Sequence, residues 1–277
     1  LADLARETGR DEACIPQLKL LLLAAAEAAA QEAGLDQRSG ILADGTYGQR
    51  ALNAITGKGW WIGRPIELPS SRPLRLEHGN IGSQLIDWPL EHVVKCLVFY
   101  HPDDPAALRA EQDALLLEVW QACNKSGHEL LLEVILPENG PDKDERHYHT
   151  MLEHFYQLGI KPDWWKLPPL SSASWQQITA LIEREDPWSR GILILGLDAP
   201  SDKLRAGFAE AAAHPMIKGF AVGRTIFGQP SRRWMQGELS DEALIEEVKR
   251  NYLTLIGYWR EARPLIPRTP ALRPPCR

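Results

Sequence analysis

Residues 93–99 have the sequence VVKCLVF, and the type of fold can be predicted from this pattern. It is a short apolar run rich in β-branched residues, which is typical of a buried β-strand, and it contains one charged residue, Lys95. Two later runs have the same form, LLLEVIL at residues 130–136 and WWKL at residues 164–167, and each of them also contains one charge. The chain therefore contains a series of buried strands with charged side chains in them.

These strands recur at a regular spacing. The intervals from Lys95 to Glu133, Lys166, Gly196 and Gly223 in turn are 38, 33, 30 and 27 residues. Each interval has the length of one strand, one helix and two loops, and the segments between the strands are rich in helix-forming residues. Strands that alternate with helices in this way predict a parallel sheet.

We predict eight strands, which cover residues 40–43, 65–68, 73–77, 93–100, 130–136, 164–167, 192–197 and 219–222. Eight parallel strands with helices between them form a (β/α)8 TIM barrel, an α/β fold that needs about 250 residues. Residues 15–262 supply that length, and a helix at residues 15–34 precedes the first strand as an extra N-terminal element. An open doubly wound sheet is the alternative architecture.

We assign residues 1–263 to a single barrel domain. Residues 264–277 contain five prolines and are predicted to form a flexible tail. The glycine-rich segment at residues 57–64 is predicted to be a structured loop, because it lacks the spacing of a phosphate-binding P-loop.

Composition excludes several classes of protein. With 44% apolar and 25% charged residues in 277, the chain resembles an ordinary globular protein. Its net charge of -6 predicts no general attraction to nucleic acid or to an anionic membrane. The four cysteines lie too far apart for a CxxC motif, and the apolar stretch at residues 20–26 is too short to span a membrane. We therefore expect a cytoplasmic protein with reduced thiols.

Four charged residues lie within or at the end of predicted strands: Asp44, Lys95, Glu133 and Lys166. Lysine and glutamate are rarely buried without a partner, and barrel active sites are built at the C-terminal ends of several strands. We therefore expect these four side chains to face one another in the mouth of the barrel. The structural alternative for each is an ion pair or a side chain that reaches from a strand end to water.

Lys166 is the candidate nucleophile. The neighbouring Trp164 and Trp165 are expected to remove water from its amine and so lower its pKa, and Lys95 would act in the same direction. A neutral amine can attack a ketone to form an imine, which acts as an electron sink for carbon-carbon cleavage. Glu133 would supply the acid and base function. Neither a metal nor a cofactor is required by this chemistry.

Three residues at the ends of the last two strands predict a phosphate site: Gly196, Gly223 and Arg224. Glycine lets backbone N–H groups approach an anion, and barrel enzymes often bind phosphate at these strand ends. The alternative is that both glycines only turn the chain. Separately, His147, His149 and His154 could bind zinc, although their segment is predicted to be a solvent-facing helix.

Four longer stretches carry a family resemblance. They are GWWIGRP at residues 59–65, WPLEHVVKCLVFYHP at 88–102, PDWWKL at 162–167 and KGFAVGRTIFG at 218–228. Over residues 15–262 the sequence resembles the C-terminal domain, of the DUF2090 type, of bacterial bifunctional proteins of myo-inositol catabolism. In those proteins a ribokinase-like 5-dehydro-2-deoxygluconokinase domain precedes it.

More distantly, the sequence is similar to class I tagatose 1,6-bisphosphate aldolases, which are (β/α)8 barrels with a Schiff-base lysine. The similarity implies that Lys166 is that lysine, that Glu133 is the acid/base and that Lys95 and Asp44 are polar partners. It also implies that Gly196, Gly223 and Arg224 lie near the substrate phosphate.

Together these observations predict a class I aldolase that cleaves 2-deoxy-5-keto-gluconate 6-phosphate into dihydroxyacetone phosphate and malonate semialdehyde. A zinc-dependent aldolase and a sugar-phosphate-binding regulatory domain of a fused kinase are the alternatives. The expected partners are a phosphorylated keto-sugar and an N-terminal kinase domain. A homo-oligomer is left open.

Overall fold

A computed structural model describes residues 1–196 and 198–263. The tail predicted at residues 264–277 lies outside the described residues.

The described chain alternates strands and helices. Its strands are β1 (Gly40–Leu42), β2 (Trp61–Pro65), β3 (His92–Phe99), β4 (Leu130–Ile135), β5 (Trp164–Leu167), β6 (Gly191–Leu195) and β7 (Ile217–Ala221). Its α-helices are α1 (Ala2–Thr8), α2 (Ile15–Glu32), α3 (Gly45–Ile55), α4 (Ile81–Leu85), α5 (Ala106–Ser126), α6 (Arg146–Gln157), α7 (Ser172–Glu185), α8 (Ser201–Ala212), α9 (Arg224–Met235) and α10 (Asp241–Ala262).

The seven strands form one parallel sheet in chain order, from β1 to β7. The sheet curls into a nearly closed barrel with the helices outside it, which confirms the predicted TIM-barrel type of fold. The described residues contain one strand fewer than the eight predicted. All strands run in the same direction, so their C-terminal ends lie at one face, the mouth of the barrel.

The prediction was wrong between residues 57 and 77. The predicted loop at 57–64 contains all of β2 except its last residue, Pro65. The rest of the segment predicted as a barrel strand at 65–68 forms an antiparallel hairpin with the predicted strand at 73–77, with a bridge between Glu67 and Leu76. We call residues 66–77 the mouth hairpin. The glycine in β2 that suggested a loop has a packing role: a Cβ on Gly63 would lie 2.3 Å from the Leu42 side chain.

Within the described chain, no β-ladder joins β7 to β1. Helices α2 and α10 pack against each other on this side of the barrel. The interior cavity, of about 3500 Å³, extends from the mouth past the starts of the strands and reaches both helices, at Ala26 and Tyr252. The barrel is therefore open along one seam.

The segment Glu12–Glu32, which includes α2, is long and apolar enough to cross a membrane by length and composition. The shorter stretch at residues 20–26 did not indicate this. In the structure Leu18, Leu21 and Ala25 are buried in the main core, and α2 packs against α3 and α10. This packing buries 39% of the apolar stretch.

The core between sheet and helices fixes β5 in place. Trp165 is fully buried, stacks on Phe155 of α6 at 6.3 Å between ring centroids, and donates its indole N–H to the Tyr156 hydroxyl at 2.9 Å. A buried aromatic ring of this size contributes several kcal/mol of stability, at about 25 cal/mol per Å² of buried apolar surface. The strand that carries Lys166 is therefore held by its outward-facing neighbour.

Gly191→Ala is expected to lower the free energy of unfolding by about 2 kcal/mol or more. Gly191 has φ +135°, a backbone conformation that alanine rarely adopts. The Cβ of an alanine there would also lie 2.4 Å from the carbonyl oxygen of Met216, so the contact between β6 and the start of β7 would have to shift. The matched control is Gly257→Ala in α10, where a Cβ meets nothing within 4 Å. It should raise stability by about 0.5–1 kcal/mol. Urea unfolding measures both, and equal effects would contradict this account.

Candidate active site

Three of the predicted side chains meet inside the barrel. The Glu133 carboxylate lies between two ammonium groups, with 2.9 Å from Oε2 to Lys95 Nζ and 2.9 Å from Oε1 to Lys166 Nζ. The strand register explains this, because Glu133 is paired with Lys166 across β4 and β5 and successive side chains alternate between the two faces of the sheet. All three residues are buried, at 4–7% exposed.

A fourth residue completes the group. The carboxylate of Glu67, on the mouth hairpin, accepts a hydrogen bond from Lys95 Nζ, and its side chain is only 10% exposed. The charge cluster thus consists of Lys95, Lys166, Glu67 and Glu133, two cations and two anions. Sequence reasoning missed Glu67. Two buried lysines with one carboxylate would leave an unpaired charge, and that imbalance was the available signal for a second acid.

The two lysines of the charge cluster differ in their pKa. Burial lowers the pKa of Lys166 below the usual lysine value, and the attraction of Glu133 only partly offsets this, while Lys95 lowers it further. For Lys95 burial acts in the same direction, but the carboxylates of Glu133 and Glu67 outweigh it and raise the pKa. The predicted direction for Lys166 is confirmed. Of the two amines, Lys166 loses its proton more readily.

The Glu133 carboxyl keeps its charge. Burial raises its pKa, but the two neighbouring ammonium groups of Lys95 and Lys166 more than compensate, and the net shift is downward. It is therefore an ionised base in contact with the amine of Lys166.

The predicted cause of the Lys166 shift needs correction. Trp165 points away from the amine into the layer of helices, because adjacent residues of a strand face opposite sides. Trp164 lies at the start of β5, edge-on to Trp61 with ring centroids 6.0 Å apart. Enclosure by the barrel, rather than the indole of Trp165, removes water from Lys166.

Asp44 takes a different position from the one predicted. Its carboxylate caps α3 by accepting the backbone N–H of Tyr47 at 2.7 Å, and it forms an ion pair with Lys19 of α2. Burial raises the pKa of Asp44, but Lys19 outweighs this and lowers it. Within the described chain, the structure does not bring Asp44 to the charge cluster, because β1 ends at Leu42 and α3 needs an N-terminal cap.

The predicted phosphate residues line the same cavity as Lys166. Gly223 forms the N-cap of α9, and Arg224 follows it with a side chain 69% exposed and 3.9 Å from the Asp198 carboxylate. Gly196 also has a packing role, since a Cβ there would lie 2.8 Å from Val222. A helix N-terminus and a largely exposed guanidinium can bind an anion at this rim.

The predicted histidine cluster is not assembled as a whole. His147 groups with His101 and Asp103, whose ligand atoms all lie within 4.8 Å of one another and could hold a metal ion. His154 instead contacts Asp113, at 2.9 Å. His101 already has a partner at each ring nitrogen, the N–H of Asp103 and the carbonyl of Asp142, so a metal would have to displace one of them. The cavity lining around Lys166 does not include this group.

The chain matches one family model and several solved structures of similar fold. The model of a family described as "Uncharacterized protein conserved in bacteria (DUF2090)" matches residues 1–263. No curated protein matched the sequence.

Among solved structures, a fructose-bisphosphate aldolase of Plasmodium falciparum, in complex with TRAP and a small-molecule inhibitor, aligns with a TM-score of 0.62 at 10% identity, over 93% of this chain and 87% of that one. A structural-genomics target from Corynebacterium glutamicum aligns with a TM-score of 0.57 at 16% identity, over 87% of this chain and 76% of that one. An archaeal fructose 1,6-bisphosphate aldolase aligns with a TM-score of 0.52 at 11% identity, over 83% of this chain and 82% of that one. At these identities the likeness shows an aldolase-type fold.

Glu133→Gln is expected to lower the free energy of unfolding by about 3–5 kcal/mol, because two buried ammonium groups lose their shared counter-ion. The loss lowers the folded-state pKa of Lys166 further below the unfolded value of about 10.4, whereas Lys95 keeps the Glu67 carboxylate. The folded variant then binds fewer protons than the unfolded chain, so its stability rises with pH. Denaturant unfolding at pH 6 and pH 9 should therefore show the larger deficit at pH 6.

Glu153→Gln is the control for this prediction. Glu153 forms a solvent-exposed contact of 3.7 Å with Arg184, so its removal should cost less than about 0.5 kcal/mol at either pH. A deficit for Glu133→Gln that is equally small would contradict the ionised cluster described above.

Proposed function

Because the chain belongs to the DUF2090 family and encloses a lysine-carboxylate cluster in an aldolase-type barrel, we propose that it is a class I aldolase. The proposed reaction cleaves 2-deoxy-5-keto-gluconate 6-phosphate into dihydroxyacetone phosphate and malonate semialdehyde. The observation that supports this most is the buried Lys166 amine, 2.9 Å from the Glu133 carboxylate and open to the cavity. A kinase domain preceding this one would supply the phosphorylated sugar.

The first step is capture of the substrate ketone. The lowered pKa of Lys166 makes its neutral amine accessible, whereas Lys95 stays protonated and keeps the site cationic. Glu133 accepts the proton that Lys166 loses. The amine then attacks C5, and Glu133 returns the proton to the carbinolamine hydroxyl, which leaves as water to give the iminium ion.

The second step breaks the C3–C4 bond. Glu133 removes the proton of the C3 hydroxyl, the C3–C4 electron pair moves into the iminium, and malonate semialdehyde leaves as the C1–C3 fragment. The remaining enamine is protonated at C4, and water hydrolyses the imine to release dihydroxyacetone phosphate. Lys95 lies 2.9 Å from the second oxygen of Glu133 and holds that carboxylate in place through the cycle.

The phosphate end of the substrate lies at the rim formed by Gly196, Gly223 and Arg224 in this proposal. C6 is adjacent to the carbon that forms the imine, so the phosphate must bind close to Lys166, on the same cavity wall. The neighbouring strand ends of β6 and β7 satisfy this requirement.

Borohydride reduction in the presence of substrate should attach a triose phosphate covalently to Lys166, detected by peptide mass mapping. Lys166→Met should abolish the adduct and lower kcat about 1,000-fold or more, because Lys95, the other amine of the charge cluster, is held in its charged form. Lys203→Met, on the exposed face of α8, is the control and should leave both unchanged. Full activity in Lys166→Met, or loss of wild-type activity with a chelator and recovery with zinc, would contradict the mechanism.

Arg224→Gln should raise the KM for the phosphorylated substrate about tenfold and leave kcat within about twofold. The reason is that the guanidinium would bind the phosphate equally in the ground state and in the transition state, so its loss weakens substrate binding without changing the chemical step. Arg205→Gln, which removes an exposed arginine paired with Glu261 on the outside of the barrel, should change neither constant. A fall in kcat at unchanged KM would place Arg224 in a different role.

A further inference from the structure

A second arginine lies at the mouth of the barrel. Arg72 belongs to the mouth hairpin and lines the same cavity as Glu133 and Lys166. Its side chain is 25% exposed, against 69% for Arg224. The two arginines differ in how they are held, and Arg72 is the more restrained.

Arg72 is fixed by two partners from two further strand ends. Its Nη2 forms an ion pair with Asp104, a residue that follows β3 and whose side chain is 2% exposed. Its Nη1 donates to the carbonyl oxygen of Asn139, which follows β4, at 3.2 Å. Asp104 is itself held by the backbone N–H of His101 at 3.1 Å. The guanidinium therefore has a defined position before any ligand arrives.

The same guanidinium keeps donor capacity. A guanidinium carries five N–H donors, and its Nε is buried with no hydrogen-bond partner among the described residues. Because Nε has no exposed surface, an anion in the cavity would bind instead to the second N–H groups of Nη1 and Nη2, each of which makes only one of the contacts above. Two exposed residues of the loop after β4, Lys143 and Glu138, also line the cavity on this side and carry opposite charges, so the positive charge at this end comes from Arg72.

The order of the strands separates the two cationic ends of the mouth. Arg72 and its partners follow β2, β3 and β4, whereas Gly196 and Arg224 follow β6 and β7. Lys166 lies on β5, between the two groups. A substrate joined to Lys166 with its phosphate toward β6 and β7 would thus extend its other end toward Arg72.

We propose that Arg72 is the binding residue for a carboxylate on the aldehyde half of the substrate, so that this site selects keto-sugar phosphates that are anionic at both ends. The inference rests on the proposed aldolase function. Asp104 already neutralises part of the guanidinium charge. The positive charge that remains therefore matches a singly charged carboxylate better than a doubly charged phosphate.

The test uses the reverse reaction. The enamine of dihydroxyacetone phosphate forms a carbon-carbon bond with an aldehyde carbon, the aldehyde oxygen takes a proton, and nothing is oxidised or reduced. We compare kcat/KM for three aldehydes: malonate semialdehyde, glyceraldehyde 3-phosphate and uncharged propanal. The wild-type protein should prefer malonate semialdehyde over both others.

Arg72→Gln should reduce the preference for malonate semialdehyde over propanal about tenfold or more and leave kcat/KM for propanal within about twofold. The control is Arg75→Gln on the same hairpin, whose guanidinium is directed to Glu111 and should not affect the preference. An unchanged preference in Arg72→Gln, or a wild-type preference for glyceraldehyde 3-phosphate, would overturn the carboxylate assignment.

A second measurement uses only the wild-type protein. Malonate should inhibit the wild-type condensation competitively against malonate semialdehyde, and competition only against dihydroxyacetone phosphate would overturn the inference. The experiment distinguishes the aldolase function from the role of Arg72. No condensation with any aldehyde would remove the aldolase function itself, whereas condensation with an unaltered preference in Arg72→Gln would remove only the role of Arg72.

Discussion

The Glu133 carboxylate, shared by two buried lysines, sets the electrostatic requirement that the barrel interior has to meet. Transfer of four charges into a barrel interior costs several kcal/mol per ion unless each has a well-placed opposite charge. The parallel register of β3, β4 and β5 supplies two of the required contacts, and the mouth hairpin supplies the third through Glu67. The hairpin is therefore part of the electrostatic balance of the charge cluster.

This balance makes two chemically identical side chains behave differently. Lys95 contacts two carboxylates and is held in its charged form, whereas Lys166 contacts one and has a lowered pKa. The proposed chemistry needs both forms: a cation that orients the acid/base and an amine that can become a nucleophile. A site with two carboxylates on each lysine would be more stable and less reactive. The arrangement found favours one neutral amine beside one permanent charge.

Much of the fold was predictable from local pattern, and the exceptions share a cause. The strands around Lys95, Glu133 and Lys166 were predicted to within two residues, because a charge inside a short β-branched or aromatic run has few other interpretations. β2 was missed because Gly63 and Pro65 imitate a loop, although the glycine is required by contact with Leu42. Glu67 and Asp44 depend on tertiary contacts, with Lys95 and Lys19 respectively, that no local window contains. Site residues on strands could thus be predicted from the sequence, whereas the positions of a residue on a hairpin and of a residue that caps a helix could not.

The open seam between β7 and β1 has a consequence for how the molecule fluctuates. In the described sheet, β1 and β7 are each hydrogen-bonded on one side, whereas β3, β4 and β5 are bonded on both. Local opening in proteins starts where backbone hydrogen bonds are fewest. The sheet margins can therefore fray, or spread to admit a bulky ligand, with little disturbance to the three central strands. We expect local opening to be least at the Lys166 amine, on β5, and greatest at the two margins of the sheet, β1 and β7.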